Sequence, residues 1–285
     1  MNNQTIILKN IRYFDIEQTL ESGQCFRWEK IDEKQYIGCA YNRVIKIGQI
    51  NNDIYIDNSN EKDMKYIWTK YFDLNRDYGK MQKILAQDKI LKKAITYANG
   101  IHILQQQPFE TLITYIISAN NNIPRIKGIV KNICEDIGTK IEFKKNIYYT
   151  FPTVEKLAFT PKKNIDKYKA GFRGPYISKT AKMIYENKYD FKKLQEMSYE
   201  QAKTSLKQFI GVGDKVSDCV LLFTGIKTES FPVDVWVKRV MERLYFKKET
   251  SLVEINKYGV EKFDKYAGFA NTYLFYYIRN NIEAI

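Results

Sequence analysis

Histidine is almost missing from this 285-residue chain: His102 stands alone. Cysteine is scarce as well, with four, at positions 25, 39, 134 and 219. No two of them have C-x-x-C spacing, which argues against a redox pair or a zinc motif. With one histidine, the acids, bases and nucleophiles are expected among Lys, Asp, Glu, Cys and Tyr. No apolar run is long enough to span a bilayer, and the first ten residues lack the apolar core of a signal peptide. These absences lead us to expect a soluble intracellular protein. No Pro/Gly-rich linker, repeat or low-complexity tract interrupts the chain, so its parts are expected to pack together.

What is abundant is positive charge. Lys plus Arg number 46 against 33 Asp plus Glu, a formal net charge of +13. The basic residues are spread along the chain, which suits a folded basic face better than a disordered arm. A polyanionic partner is the direct reading, and a plain solubility charge is the alternative. The 22 Tyr and 16 Phe can fill a core or stack on bases.

Residues 1 to about 75 read as short strands. Residues 35–47 suggest two strands around a turn near Tyr41-Asn42, and 53–57 alternate with period two. From Asp73 the pattern turns helical. Helices are expected over 78–98, from Pro108 to Ser118, from Pro124 onward, and over 178–186, 199–209, 214–224, 235–245 and 261–281. The fold class is therefore α+β: an antiparallel sheet domain with flanking helices over 1–100, then an all-helical part over 101–285.

The informative stretch is 206–219, Leu-Lys-Gln-Phe-Ile-Gly-Val-Gly-Asp-Lys-Val-Ser-Asp-Cys. It reads as a helix, a tight turn and a second helix. Gly211 and Gly213 allow positive φ and close approach of a ligand. The amides opening the second helix can grip a phosphate. An ordinary helix-helix corner explains the turn equally well. Lys215 falls in the first helical turn, where the helix dipole and burial both favour the neutral amine that a nucleophilic lysine needs. Most lysines in so basic a chain are simply solvated. Cys219 lies at i+4 from it, and as an isolated residue reads as a small buried apolar group. Asp234, in Phe-Pro-Val-Asp at 231–234, is a natural N-cap that could also face a cleft.

Taken together, 206–243 resembles the helix-hairpin-helix and Gly/Pro/Asp signature of base-excision DNA glycosylases, most of all the 8-oxoguanine DNA glycosylase/AP lyases. Further segments follow in that family's order. They are Ser-Gly-Gln-Cys-Phe-Arg-Trp at 22–28, Ser-Ala-Asn-Asn-Asn-Ile-Pro-Arg at 118–125, Gly-Phe-Arg at 171–173 and Ala-Gly-Phe-Ala-Asn-Thr-Tyr-Leu-Phe at 267–275. The resemblance implies an N-terminal antiparallel sheet domain followed by a helix-hairpin-helix glycosylase domain. Its implied partner is duplex DNA containing 8-oxoguanine opposite cytosine.

By that resemblance Lys215 attacks C1′ of the damaged nucleotide and Asp234 stabilises the cationic sugar. Gly23 offers its carbonyl to N7–H, which undamaged guanine lacks. Phe275 stacks on the flipped base, and Phe223 and Cys219 line its pocket. A proton passed from Cys219 to Lys215 would create a charged pair that senses the lesion's dipole. Asn271 stands where animal members carry glutamine, with a shorter reach to the base edge. Asn120, Arg125 and Arg173 match residues facing the orphaned cytosine, and Phe172 replaces a tyrosine wedge. Gly211, Gly213 and Trp236 fall at phosphate contacts, with Trp236 in place of histidine. A bare polar turn would otherwise account for Asn120 to Asn122.

No cysteine follows Cys219, so the iron–sulfur cluster of some relatives has no ligands here, and neither cofactor nor metal is expected. Three rivals were weighed: a non-catalytic helix-hairpin-helix DNA binder, an alkylated-purine glycosylase and a pyrimidine-lesion glycosylase/lyase. The first does not explain Lys215 with Asp234. The second generally lacks the lysine, and the third carries the cluster cysteines. A monomer acting at the nucleoid in bacterial cytoplasm is expected, with no membrane contact.

Overall fold

The computed structural model describes residues 4–281. Residues 1–3 of the amino-terminal stretch, and 282–285, lie outside it. Five antiparallel strands form the first sheet: β1 (Gln4–Leu8), β2 (Trp28–Asp32), β3 (Gln35–Ala40), β4 (Arg43–Ile50) and β5 (Asp53–Ser59), in the order β1-β5-β4-β3-β2. Tyr41 and Asn42 both take positive φ, as a tight hairpin turn needs, and join β3 to β4 where the sequence suggested. Alternating Ile45, Ile47, Ile54 and Ile56 bury one face of the sheet. That face meets Trp68 and Tyr71 from a helical segment over 61–71, and Phe72 at its C-cap.

This early region is thus not all strand. It also holds a helix at Ile16–Glu21, capped by Asp15, whose carboxylate accepts from the Gln18 amide at 2.9 Å. Gly38 sits opposite Trp28, and a Cβ there would fall 2.4 Å from the indole. The glycine is what lets Trp28 lie flat across the sheet and donate to the Tyr71 hydroxyl at 2.8 Å.

Beyond residue 76 the chain is mostly helical. The expected 78–98 helix is two, Tyr78–Leu85 and Lys89–Tyr97, because Asp88 caps a fresh start by accepting from the Ile90 and Leu91 amides. Helices Pro108–Ser118 and Ile123–Ile137 follow, then a two-stranded hairpin of β6 (Lys140–Phe143) and β7 (Asn146–Tyr149) absent from the sequence reading. The next long helix spans Arg173–Glu186, starting five residues before the expected 178, because Pro175 is tolerated in a first turn. The expected 235–245 helix is α-helical only over Val235–Val240 and widens into a π turn over Met241–Phe246. The expected 261–281 helix begins later, at Ala267, and runs to Asn280; before it come a break at Asp264 with φ 48° and a helix Leu252–Phe263 that lies mostly outside the expected range.

The two parts are joined by hydrogen bonds from one buried side chain. Gln24 Nε2 donates to the Thr19 and His102 carbonyls, at 3.0 and 2.8 Å, and Gln24 Oε1 accepts from the Leu104 amide at 2.7 Å. Its own carbonyl accepts from Gln106 Nε2 at 2.7 Å. This fixes the backbone beside Gly23.

His102 is stacked on Tyr78, ring centroids 3.6 Å apart, with Nδ1 2.9 Å from the Phe72 carbonyl oxygen. Burial pushes its imidazole down to about 4. In the unfolded chain the group titrates near ~6.5. Between those values the unfolded state holds more protons, so His102 contributes stability at neutral pH that is lost on acidification. We expect denaturant unfolding to show an acid-side loss on the order of 2 kcal/mol from pH 7 to 5 attributable to this group. The readout is the difference in pH slope between wild type and His102→Gln; equal slopes would contradict the assignment.

Candidate active site

Helices Tyr199–Lys207 and Asp214–Phe223 flank the Gly211-Val-Gly213 turn, forming the expected hairpin. The first is fixed by a capping box between Ser198 and Gln201. Only Gly211 has positive φ, 85°, and a Cβ there would strike the Tyr176 ring at 2.7 Å. Gly213 does not share that conformation: it is an extended N-cap with φ −98°. Nothing lies within 4 Å of where its Cβ would be, so no internal contact requires glycine there. The first-turn amides it precedes have no side-chain cap. Asp214, the one acid in that turn, is held by Lys207 at 2.9 Å.

Lys215 projects from that first turn into a pocket. Its Nζ donates to Ser118 Oγ at 3.3 Å and stands 5.3 Å from the Tyr115 ring centroid. Asp234 reaches the same pocket from the start of helix Val235–Val240. One carboxylate oxygen, Oδ1, accepts both cap hydrogen bonds, from the Trp236 and Val237 amides at 2.9 Å. Oδ2 is left for the cavity.

Gly23, Cys219, Phe223 and Phe275 line the remaining walls. Gly23 has φ 87°, and its carbonyl lies 3.5 Å from the Tyr115 hydroxyl. Phe223 stacks on Tyr115 with rings 12° from parallel. Cys219 is 3 % exposed, and burial pushes its thiol up to about 12, against the pull of Lys215. Burial thus opposes the thiolate–ammonium pair that the resemblance implies, while Lys215 pulls toward it. Asn271 is also in the wall, but its Nδ2 donates to the Pro232 carbonyl at 2.8 Å. The amide hydrogens expected for the base edge are thus partly engaged in holding the loop that delivers Asp234.

A second group gathers at an exposed rim. Asn120 has φ 49° and is exposed; Arg125 is exposed; Phe172 is 55 % exposed at the start of helix Arg173–Glu186. Arg125 Nη2 would lie 3.8 Å from a Cβ on Gly171, which places these residues together. Arg173 differs from expectation. It is 2 % exposed, its Nε donates to the Ala119 carbonyl at 2.8 Å and its Nη2 to the Asn120 carbonyl at 2.6 Å. Its guanidinium packs 4.2 Å from the Phe172 ring centroid. It holds the asparagine turn from beneath, with these donors engaged on backbone carbonyls. Trp236 lies partly buried beside the pocket, with Arg239 5.2 Å from its ring.

Residues 6–112 match the family described as 8-oxoguanine DNA glycosylase, N-terminal domain, and 113–264 match the HhH-GPD superfamily of base excision DNA repair proteins. The chain belongs to the 8-oxoguanine glycosylase branch of that superfamily. It is 31% identical to the N-glycosylase/DNA lyase of Saccharomyces cerevisiae, over 81% of this chain and 68% of that one. Identity is 25% with a probable N-glycosylase/DNA lyase of Methanothermobacter thermautotrophicus, covering 94% of each. It superposes with a TM-score of 0.95 and 42% identity on the Clostridium acetobutylicum 8-oxoguanine glycosylase/lyase, solved with double-stranded DNA containing cytosine opposite 8-oxoguanine. That match covers 99% of this chain and 98% of the other.

Two features of this glycosylase escaped sequence reasoning. Tyr115 and Ser118 touch Lys215, and only their i, i+3 placement before the asparagine turn could have flagged them. Behind the hairpin, Asp218 accepts from Tyr199 Oη at 2.6 Å, from Lys203 Nζ at 3.0 Å and from Asn256 Nδ2 at 3.0 Å. Burial pushes the Asp218 carboxyl up to about 6, despite Lys203. Its contribution to stability weakens as pH rises through that value, opposite in sign to His102, and cancels in the difference between wild type and His102→Gln. Among the described residues no three His, Cys, Asp or Glu gather as a metal ligand set, and no helix is long and apolar enough to cross a membrane.

Proposed function

We propose that this protein is a bifunctional glycosylase/lyase that removes 8-oxoguanine from duplex DNA and nicks the strand. The convergence of Lys215 and Asp234 on one pocket walled by Gly23, Cys219 and Phe275 carries the reading. The base leaves the stack first, because C1′ is otherwise out of reach. The Lys215 amine forms a bond to C1′ as the glycosidic bond breaks, and the departing base takes up the proton that the amine sheds. The Asp234 carboxylate stabilises the positive charge on the sugar. Ring opening gives a protonated imine, which drains electrons from C2′. Loss of the C2′ proton then breaks the C3′–O bond and expels the 3′ phosphate.

The Gly23 carbonyl accepts N7–H of the lesion; facing the N7 lone pair of guanine, it would go unpaired at a cost of about 1–3 kcal/mol. Phe275 stacks on the base and Phe223 and Cys219 bound it, with Asn271 contributing its free carbonyl oxygen. Asn120 and Arg125 face the orphaned cytosine and Phe172 fills the gap. Gly211, Gly213 and the following amides hold a phosphate, supported by the open space over Gly213. Trp236 borders that backbone track. The sheet domain spans 1–100 and the glycosylase domain 101–285. No iron–sulfur cluster or zinc takes part, in keeping with the lack of cysteine after Cys219. The protein acts as a monomer in the cytoplasm, at the bacterial nucleoid.

The test is borohydride trapping on a duplex with one 8-oxoguanine opposite cytosine, beside the same duplex undamaged. A covalent adduct on the lesion duplex alone is expected. Tight binding to both without adduct or base release would make the chain a DNA-binding module.

A further inference from the structure

Arg279 lies one helical turn beyond Phe275, so both side chains share a face of helix Ala267–Asn280. The guanidinium carbon is 5.5 Å from the Phe275 ring centroid and 5.6 Å from that of Tyr276. Nη2 donates to the Glu21 carbonyl. Nη1 is buried and finds no hydrogen-bond partner among the described residues. It occupies the space where a side chain at position 23 would start: a Cβ on Gly23 would meet it at 3.2 Å and the Phe275 ring at 3.3 Å.

We propose that Arg279 is the positioning residue that sets the base slot, tying the Glu21–Gly23 backbone to the back of the Phe275 ring. Filling space does not require arginine here, since a methionine would pack the same gap without stranding a guanidinium nitrogen. The charge and the fork do two things that methionine cannot. The hydrogen bond to Glu21 fixes the backbone two residues before the Gly23 carbonyl. The cation behind Phe275 draws on the ring's π electrons. That leaves the opposite face better suited to an electron-rich oxidised purine. One guanidinium therefore governs two walls of the slot, the carbonyl that reads N7–H and the ring that stacks. The inference rests on the reading of Phe275 as the stacking residue.

The test compares Arg279→Met, Arg279→Lys and Phe275→Ala on two substrates. One is a duplex with 8-oxoguanine opposite cytosine; the other has a preformed abasic site, which needs Lys215 but presents no base. For Arg279→Met we expect kcat/KM for base excision to fall roughly tenfold, the scale of a partly desolvated cation–π contact with its hydrogen bond. Nicking of the abasic site should stay within about twofold, since the amine is untouched. Arg279→Lys, which keeps the cation over the ring, should recover the larger part. Wild-type excision by Arg279→Met while Phe275→Ala fails overturns the proposal. So does a parallel loss of excision and nicking, which is general damage to the fold. Normal excision by both Arg279→Met and Phe275→Ala overturns the stacking reading itself.

Discussion

Replacing Lys215 by Gln should abolish the borohydride-trapped adduct and reduce strand nicking at least ~10³-fold, because an amide nitrogen cannot form the imine. Duplex binding should persist, since grip on the backbone comes from the hairpin turn and the basic surface, not from this side chain. The fold should persist too: Lys215 makes one long hydrogen bond, to Ser118, and one ring contact, both of which glutamine can approximate. Gel trapping, single-turnover nicking and a binding isotherm on one preparation check all three. Nicking at the wild-type rate would place the nucleophile elsewhere. Base release persisting without any adduct would leave a monofunctional glycosylase.

Asp234→Asn should lower the rate of base excision by about 10²–10³-fold, the usual effect of removing one preorganised group from a developing charge. Asparagine caps a helix as well as aspartate does. The hydrogen bonds from the Trp236 and Val237 amides survive the change, because both fall on a single oxygen. Melting temperature should therefore move little while single-turnover excision collapses. A large loss of stability with activity per folded molecule unchanged would reduce Asp234 to a cap.

Features that follow from local spacing could be read directly from the sequence. Asp234 announced itself as a cap, the glycine turn as a helix-helix corner, and the alternating isoleucines as one face of a sheet. The features that were missed depend on where a side chain ends up. Arg173 has the same charge whether it meets a base or a carbonyl; only the folded chain shows it committed to Ala119 and Asn120. Gln24 reads as part of a motif, yet its weight lies in partners at Thr19, His102 and Leu104. Lys203 and Asp218 look like ordinary helix surface until Asn256 and Tyr199 close over them. The start of helix Leu252–Phe263 has one local signal: Ser251 stands three residues before Glu254 and is an N-cap accepting from the Glu254 amide at 3.2 Å.

Gly23 and Phe275 wall one pocket from nearly opposite ends of the described sequence, whereas Lys215 and Asp234 lie within one short stretch. Contacts between distant segments carry the larger loop-closure entropy and tend to form late in folding. Lys215 and Asp234 are close in sequence, but the loop that delivers Asp234 is held by Asn271 of the last described helix. Discrimination between bases waits until the last helix docks against the loop at residue 23. Cutting and choosing are therefore completed by one docking event: with that helix undocked, neither the loop before Asp234 nor the wall of the base slot is held.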